Sequence, residues 1–169
     1  RFGWSPVTAG GFLIGLEKYG ANVSLEPGGA LELSGGMLET IHQTCDEVNV
    51  HLAEVNSVAD EIGVGFIGLG AAPEWSHDDV GLMPKGRYKL MDAYVDKVGT
   101  SGKMMMRRTC TVQVNLDFST EADMIQKMRV AIALQPVATA LFANSPFFDG
   151  KPNGHKSWRA RIWRHLDDA

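Results

Sequence analysis

Residues 24–35, SLEPGGALELSG, carry two carboxylates, Glu26 and Glu32, in what reads as two short strands joined by Pro27-Gly28-Gly29. Glycine pairs supply the positive φ that tight hairpin turns need. In the second arm Leu31 and Leu33 alternate with Ala30 and Glu32, so period two sets Glu32 on the face opposite the leucines. A half-buried carboxylate is costly unless a positive group compensates it. Two of them on a strand pair suit a hard, oxygen-loving cation such as Mg²⁺.

A second polar constellation lies at residues 109–118, TCTVQVNLDF. Alternation puts Cys110, Val112, Val114 and Leu116 on one face and Thr109, Thr111, Gln113, Asn115 and Asp117 on the other. Gln113 and Asn115 are poor choices for a plain solvent-facing strand. If both polar faces belong to one sheet, they line one cleft with carboxylate and amide oxygens. Cations come from MPKGRY, with Arg87, and from SWRARIWR, with Arg159 and Arg161 between Trp158 and Trp163 and Arg164 just after them. Arginine matches a carboxylate or phosphate with two parallel hydrogen bonds. No nucleophile elbow, Walker loop, dinucleotide fingerprint or HExxH is present.

These residues need elements to hold them. Residues 12–16 and 64–69 read as strands, and residues 22–26 and 30–33 as a hairpin. From 38 to 62 apolar residues recur at steps of three and four: Leu38, Ile41, Cys45, Val48, Leu52, Val55, Ala59 and Ile62. That is an amphipathic helix with a buried stripe, stopped by Gly63. On this reading Cys45 packs in the stripe, while His42 and His51 are solvated. Residues 87–98 form a shorter helix. Ser119 or Thr120 caps another that runs toward Asn144, with Glu121 and Asp123 in its first turn and a kink at Pro136. Residues 157–165 form a basic helical segment. Strands and helices do not alternate as βαβ units, so an α+β fold with an antiparallel sheet is expected.

The bulk numbers agree with one domain or a large piece of one. The chain has 169 residues, 44% hydrophobic, with a net charge of −4, which argues against a general nucleic-acid surface. Two cysteines make no disulfide framework, and a reducing, cytosolic setting fits. No apolar run is long enough to span a membrane and no signal peptide is visible.

SLEPGGALELSG, LETIHQTCDEVNVHL, MPKGRYKLM, RTCTVQVNLDFSTEADM, ALQPVATALFANSPFFDGKPNG and RARIW together closely resemble the glutamate–cysteine ligases of the plant and proteobacterial type. The resemblance covers nearly the whole chain. It implies an ATP-dependent joining of the L-glutamate γ-carboxylate to the L-cysteine amine through an acyl phosphate, the first step of glutathione synthesis. It also implies a curved antiparallel sheet similar to the catalytic domain of glutamine synthetase. On the matching positions, Glu26 and Glu32 become Mg²⁺ ligands, and Gln113 and Asn115 face metal and nucleotide phosphates. Arg87 and Arg159 grip the glutamate carboxylates as the catalytic pair, and Thr109, Thr111 and Arg161 assist in binding that substrate. Members of the family are several hundred residues long, so 1–169 is expected to be a single partial catalytic domain, inactive or nearly so without its remaining parts. A related ligase with another amine acceptor, or a non-catalytic binding module, stays open as an alternative.

Overall fold

The computed structural model describes residues 1–166. Four strands, β1 (Ser5–Ala9), β2 (Phe12–Lys18), β3 (Ala21–Leu25) and β4 (Leu31–Ser34), form an antiparallel meander in sequence order. They are followed by α1 (Ile41–Ile62), α2 (Gly86–Val98), α3 (Gly102–Arg108) and α4 (Glu121–Leu141). A two-stranded hairpin, β5 (Phe147–Phe148) with β6 (Lys151–Pro152), leads to α5 (Trp158–Trp163). The chain is therefore mixed α and β with antiparallel pairing, as expected. Contacts gather into two compact units, Arg1–Ile67 with His77–Tyr94, and Gly68–Ser76 with Val95–Ala169. No helix among the described residues is long and apolar enough to cross a membrane.

In the first unit the hairpin has the form its residues dictate. Ser24 pairs with Glu32 and Leu25 with Leu31. Glu26 N donates to Ala30 O at 2.9 Å, and Gly29 takes φ of 80° to close the turn. Thr40 caps α1 in a reciprocal capping box with Gln43, and Gly63 ends it in the left-handed conformation with φ of 70°. The face that α1 turns to the sheet is not the apolar stripe. Glu54 accepts from Trp4 Nε1 at 2.7 Å and from Lys18 Nζ at 3.2 Å, and Glu47 accepts from Gly36 N at 2.9 Å. Arg1 reaches Ser57 and Glu61. Of the stripe only Ala59 is buried, while Ile41, Val48, Leu52 and Ile62 are exposed. Cys45, expected to pack, is exposed as well. Charged hydrogen bonds decide the helix rotation here, because each joins a loop or strand end to a fixed carboxylate. His51, expected in solvent, is half-buried, and that burial lowers its pKa against the pull of Glu54 and Glu47.

In the second unit two expectations fail. Residues 64–69, in part of the first unit, and 110–118 form no strand. A strand exists only when a neighbour accepts its ladder, and 109–118 has one isolated bridge, Thr109 to Ala71. α3, unforeseen, occupies the residues just before it. α4 is capped by Thr120 as expected, contains Pro136, and buries none of its residues. The packed part of the unit lies around Met106, Arg108, Ser145 and Ile162. The two-residue turn Asp149-Gly150 has φ of 50° and 72°, the positive pair that a tight hairpin turn needs.

Candidate functional site

The hairpin turn of the first unit carries a second segment on its back. Met83 N donates to Pro27 O at 3.1 Å, and the Met83 methyl lies beside Gly29. Lys85 N then turns back onto Met83 O, and Tyr88 N onto Lys85 O, which starts α2. The result sets Lys85, Arg87 and Tyr88 against the face that carries Ser24 and Glu26. Tyr88 is only 1% exposed. Its hydroxyl accepts from Arg87 Nη2 at 3.1 Å and from Lys85 Nζ at 3.4 Å, and donates to Glu26 Oε1 at 3.3 Å. A phenol has one proton to give and two lone pairs to fill, so this set uses it completely. Lys85 also donates to Ser24 Oγ at 3.3 Å. Both cations lie over the Tyr88 ring, at 5.4 and 4.9 Å.

The structure thus brings together three residues expected to act, Glu26, Glu32 and Arg87. The Tyr88 hydroxyl, followed by the fields of Tyr88, Glu26 and Glu32, raises the Arg87 pKa, outweighing burial. Glu32 accepts from Ser34 Oγ at 3.2 Å. Ser24 and Glu26 share a face by the two-residue period, and Glu32 lies across from Ser24. Two carboxylates on one face fit a Mg²⁺ ion that takes its other oxygens from water and phosphate. No group of three or more metal-binding side chains occurs among the described residues. Lys85 and Tyr88 were not singled out from sequence. Their signal was the PKGRY run itself, but only the turn onto Pro27 reveals what it touches.

The second unit builds a different arrangement around Ser145. Its N–H donates to Lys156 O, its carbonyl accepts from Trp158 N at 3.1 Å, and its hydroxyl accepts from Arg159 N at 3.1 Å. This clamps the start of α5, whose cap Ser157 accepts from Ala160 N. Gly70 makes room beside it: a Cβ there would lie 2.8 Å from Asn144 Oδ1 and 3.5 Å from Arg159 Cβ. Cys110 N donates to Gly70 O at 3.2 Å, so Thr109, Cys110 and Arg159 abut the same backbone. Burial lowers the Arg159 pKa, partly offset by Cys110, and partial desolvation raises that of Cys110, itself an exposed residue, partly offset by Arg159. Arg159 Nε is buried with no hydrogen-bond partner, and the guanidinium stacks on Trp163 at 4.9 Å. An orphaned donor on a desolvated cation is a place where an anionic oxygen would be stabilised.

The other expected residues are less organised. Thr109 Oγ1 donates to Met105 O at 2.7 Å, so it ends α3. Thr111 donates to Val112 O, and Gln113 Nε2 to Asn115 Oδ1 at 3.1 Å, all exposed. Arg161 lies over the Trp158 ring at 5.4 Å and lines a cleft of about 540 Å³ that Arg159 does not line. A substrate role for Arg161 thus rests on resemblance alone. Arg108, unremarked in the sequence, is buried, pairs with Asp149 at 3.0 Å and lies 3.9 Å over the Phe148 ring. Phe148 in turn meets Trp158 at 5.1 Å.

Residues 6–169 match the family model described as glutamate-cysteine ligase family 2. The chain is 60% identical over 167 residues to a chloroplastic glutamate–cysteine ligase of Medicago truncatula, covering 99% of this chain and 33% of that protein. The corresponding ligases of Arabidopsis thaliana and Nicotiana tabacum are 60% and 59% identical, over 99% of this chain and 32% of theirs. The chain spans about a third of the length of the curated relatives it matches. These relatives are chloroplastic, which overturns the cytosolic placement expected from the cysteines. Free thiols fit any reducing compartment and do not tell one from another.

Proposed function

The chain belongs to the glutamate–cysteine ligase family, and from that premise we propose that it is part of an enzyme joining L-glutamate to L-cysteine at the expense of ATP. In the reaction a γ-carboxylate oxygen of glutamate attacks the terminal phosphorus of ATP, and ADP leaves. The cysteine amine then attacks the acyl carbon, phosphate departs, and the amine loses a proton. Neither step needs a protein nucleophile. Both need anions aligned and charge stabilised while a phosphoryl group moves. The observation that carries this reading is the identity of 60% to named ligases across the residues that build the Glu26–Tyr88–Arg87 cluster.

The roles follow from chemistry. Glu26 and Glu32 would hold Mg²⁺, which supplies charge neutralisation for the phosphates. Tyr88 keeps Glu26 aimed by donating to it, and keeps Arg87 and Lys85 beside it by accepting from both. Arg87 and Arg159 serve as carboxylate-binding cations, each within its own unit. The unpartnered Arg159 Nε supports that role, because a substrate oxygen would supply the missing acceptor. Thr109 and Thr111 offer hydroxyls to the same substrate, and Gln113 and Asn115 offer amides toward nucleotide and metal. The meander β1–β4 is read as part of a sheet similar to that of the glutamine synthetase catalytic domain, and the two units as portions of one catalytic domain. The chain alone is expected to be inactive or nearly so.

The test is a chimera in which this chain replaces the matching third of the Medicago truncatula relative. We expect ATP-dependent γ-glutamylcysteine formation with cysteine preferred over other amines, and its loss in Glu26→Gln and in Arg87→Met. A folded chimera that forms no product, or one indifferent to both substitutions, would overturn the assignment.

A further inference from the structure

The ligase reading leaves most of the basic run at the end of the chain without a task. α5 divides its arginines: Arg159 stacks on Trp163, whereas Arg161 lies over Trp158. On the Arg161 side is the cleft of about 540 Å³. Its ionisable lining is His155, Lys156, Arg161, Arg164 and His165, and no carboxylate among the described residues lines it. A smaller hollow of about 230 Å³ shares Arg161 and His165 and is walled by Trp158 and the Ser101 region. Trp158 Nε1 is buried and has no hydrogen-bond partner.

Three physical features coincide here. The chain carries a net charge of −4, yet this cleft gathers three permanent cations and two imidazoles. Like charges so gathered repel, and a concave wall concentrates their field on any counter-ion. Guanidinium and ammonium groups provide many donors and no acceptor, while the Trp158 indole borders the smaller hollow rather than this cleft. Arginine forks match phosphate oxygens well, and lysine acts as a point charge. The geometry points to a binding site for a phosphate-chain anion, either free polyphosphate or the phosphate tail of a nucleotide, on the face of α5 away from Arg159. The site is independent of the proposed glutamate grip, since Arg159 does not line it.

The experiment is a titration of the purified chain with inorganic tripolyphosphate, followed by calorimetry and by tryptophan fluorescence, to which Trp158 beneath Arg161 contributes. We expect saturable one-site binding that weakens with added salt. Removing each cation should cost about tenfold in affinity, so Lys156→Met with Arg164→Met should cost about a hundredfold. Lys89→Met and Arg159→Met should leave affinity unchanged, and far-UV circular dichroism should show all variants folded. Binding of tripolyphosphate alone assigns the site to a free anion, and equal binding of ATP assigns it to a nucleotide tail. Absence of saturation, an equal loss in Lys89→Met, retained affinity in the folded double variant, or binding of ATP and adenosine but not tripolyphosphate would each sink the proposal. Loss in Arg159→Met alone would do the same, and would leave the ligase reading untouched.

Discussion

The β3–β4 hairpin and residues 109–118 both alternate polar and apolar side chains, yet only the hairpin is organised. In the hairpin each strand finds its partner across the five residues between Leu25 and Leu31, and the Tyr88 hydroxyl bonds Lys85, Arg87 and Glu26. In 109–118 the backbone has one bridge, to Ala71, Gln113 bonds the Asn115 side chain, and Thr111 bonds the backbone Val112 O. Val112, Val114, Leu116 and Phe118 are all exposed. Alternation states which faces a strand would have. Pairing decides whether there is a strand, and 109–118 meets only Ala71.

The largest test of this contrast is truncation of an aromatic in each region. Tyr88→Ala should cost about 3–5 kcal/mol, as for other buried aromatics, read as a shift in urea midpoint. Phe118→Ala should change stability by less than about 0.5 kcal/mol, as expected for an exposed site. A large loss at Phe118 would mean that 109–118 is packed after all.

A finer test removes only polar groups. Tyr88→Phe strips the hydroxyl between Lys85, Arg87 and Glu26, and should cost about 1–3 kcal/mol because those partners lose their shared neighbour. Gln113→Ala should be silent in the same urea titration, since its amide meets only exposed Asn115. Equal effects would erase the distinction between a built cluster and a solvated one.

The smallest effect is the pH response of the first unit. His51 has a lowered pKa in the fold, chiefly through burial, so below roughly 6.5 the unfolded chain takes up a proton that the folded chain refuses. Stability should therefore fall as pH drops through that range. Burial raises the Glu54 pKa, but the Trp4 and Lys18 hydrogen bonds overcome it and hold it low. Its contribution should be lost at still lower pH, as the carboxylate is protonated. In His51→Gln the upper part of this loss should vanish from pH-dependent melting curves while the lower part remains. An unchanged profile would show that His51 does not couple to folding.

Much of the local structure was legible beforehand for physical reasons. The glycine turn after Glu26, the Gly63 stop and the Thr120 cap depend on residues within a few positions of one another. The helix rotation was not legible. The apolar stripe of α1 marks a face that could be buried, but the docked face was chosen by Glu47 and Glu54 meeting Gly36, Trp4 and Lys18. Nor did the pattern foresee β1, whose residues SPVTA carry only one strongly apolar side chain at the centre and are recruited by pairing with β2.

By itself the sequence determined the family, through long motifs matching over residues 6–169, and it determined the residue types any site must use. It also set the turns and caps, because these are local bargains between a backbone and its next few side chains. Only the tertiary structure decided which of those residues meet. It joined Arg87 to Glu26 through the Tyr88 hydroxyl, set Arg159 and Arg161 against different partners on one short helix, and left Gln113 and Asn115 in solvent. Such meetings depend on which segments pack together, and no spacing along a chain encodes that.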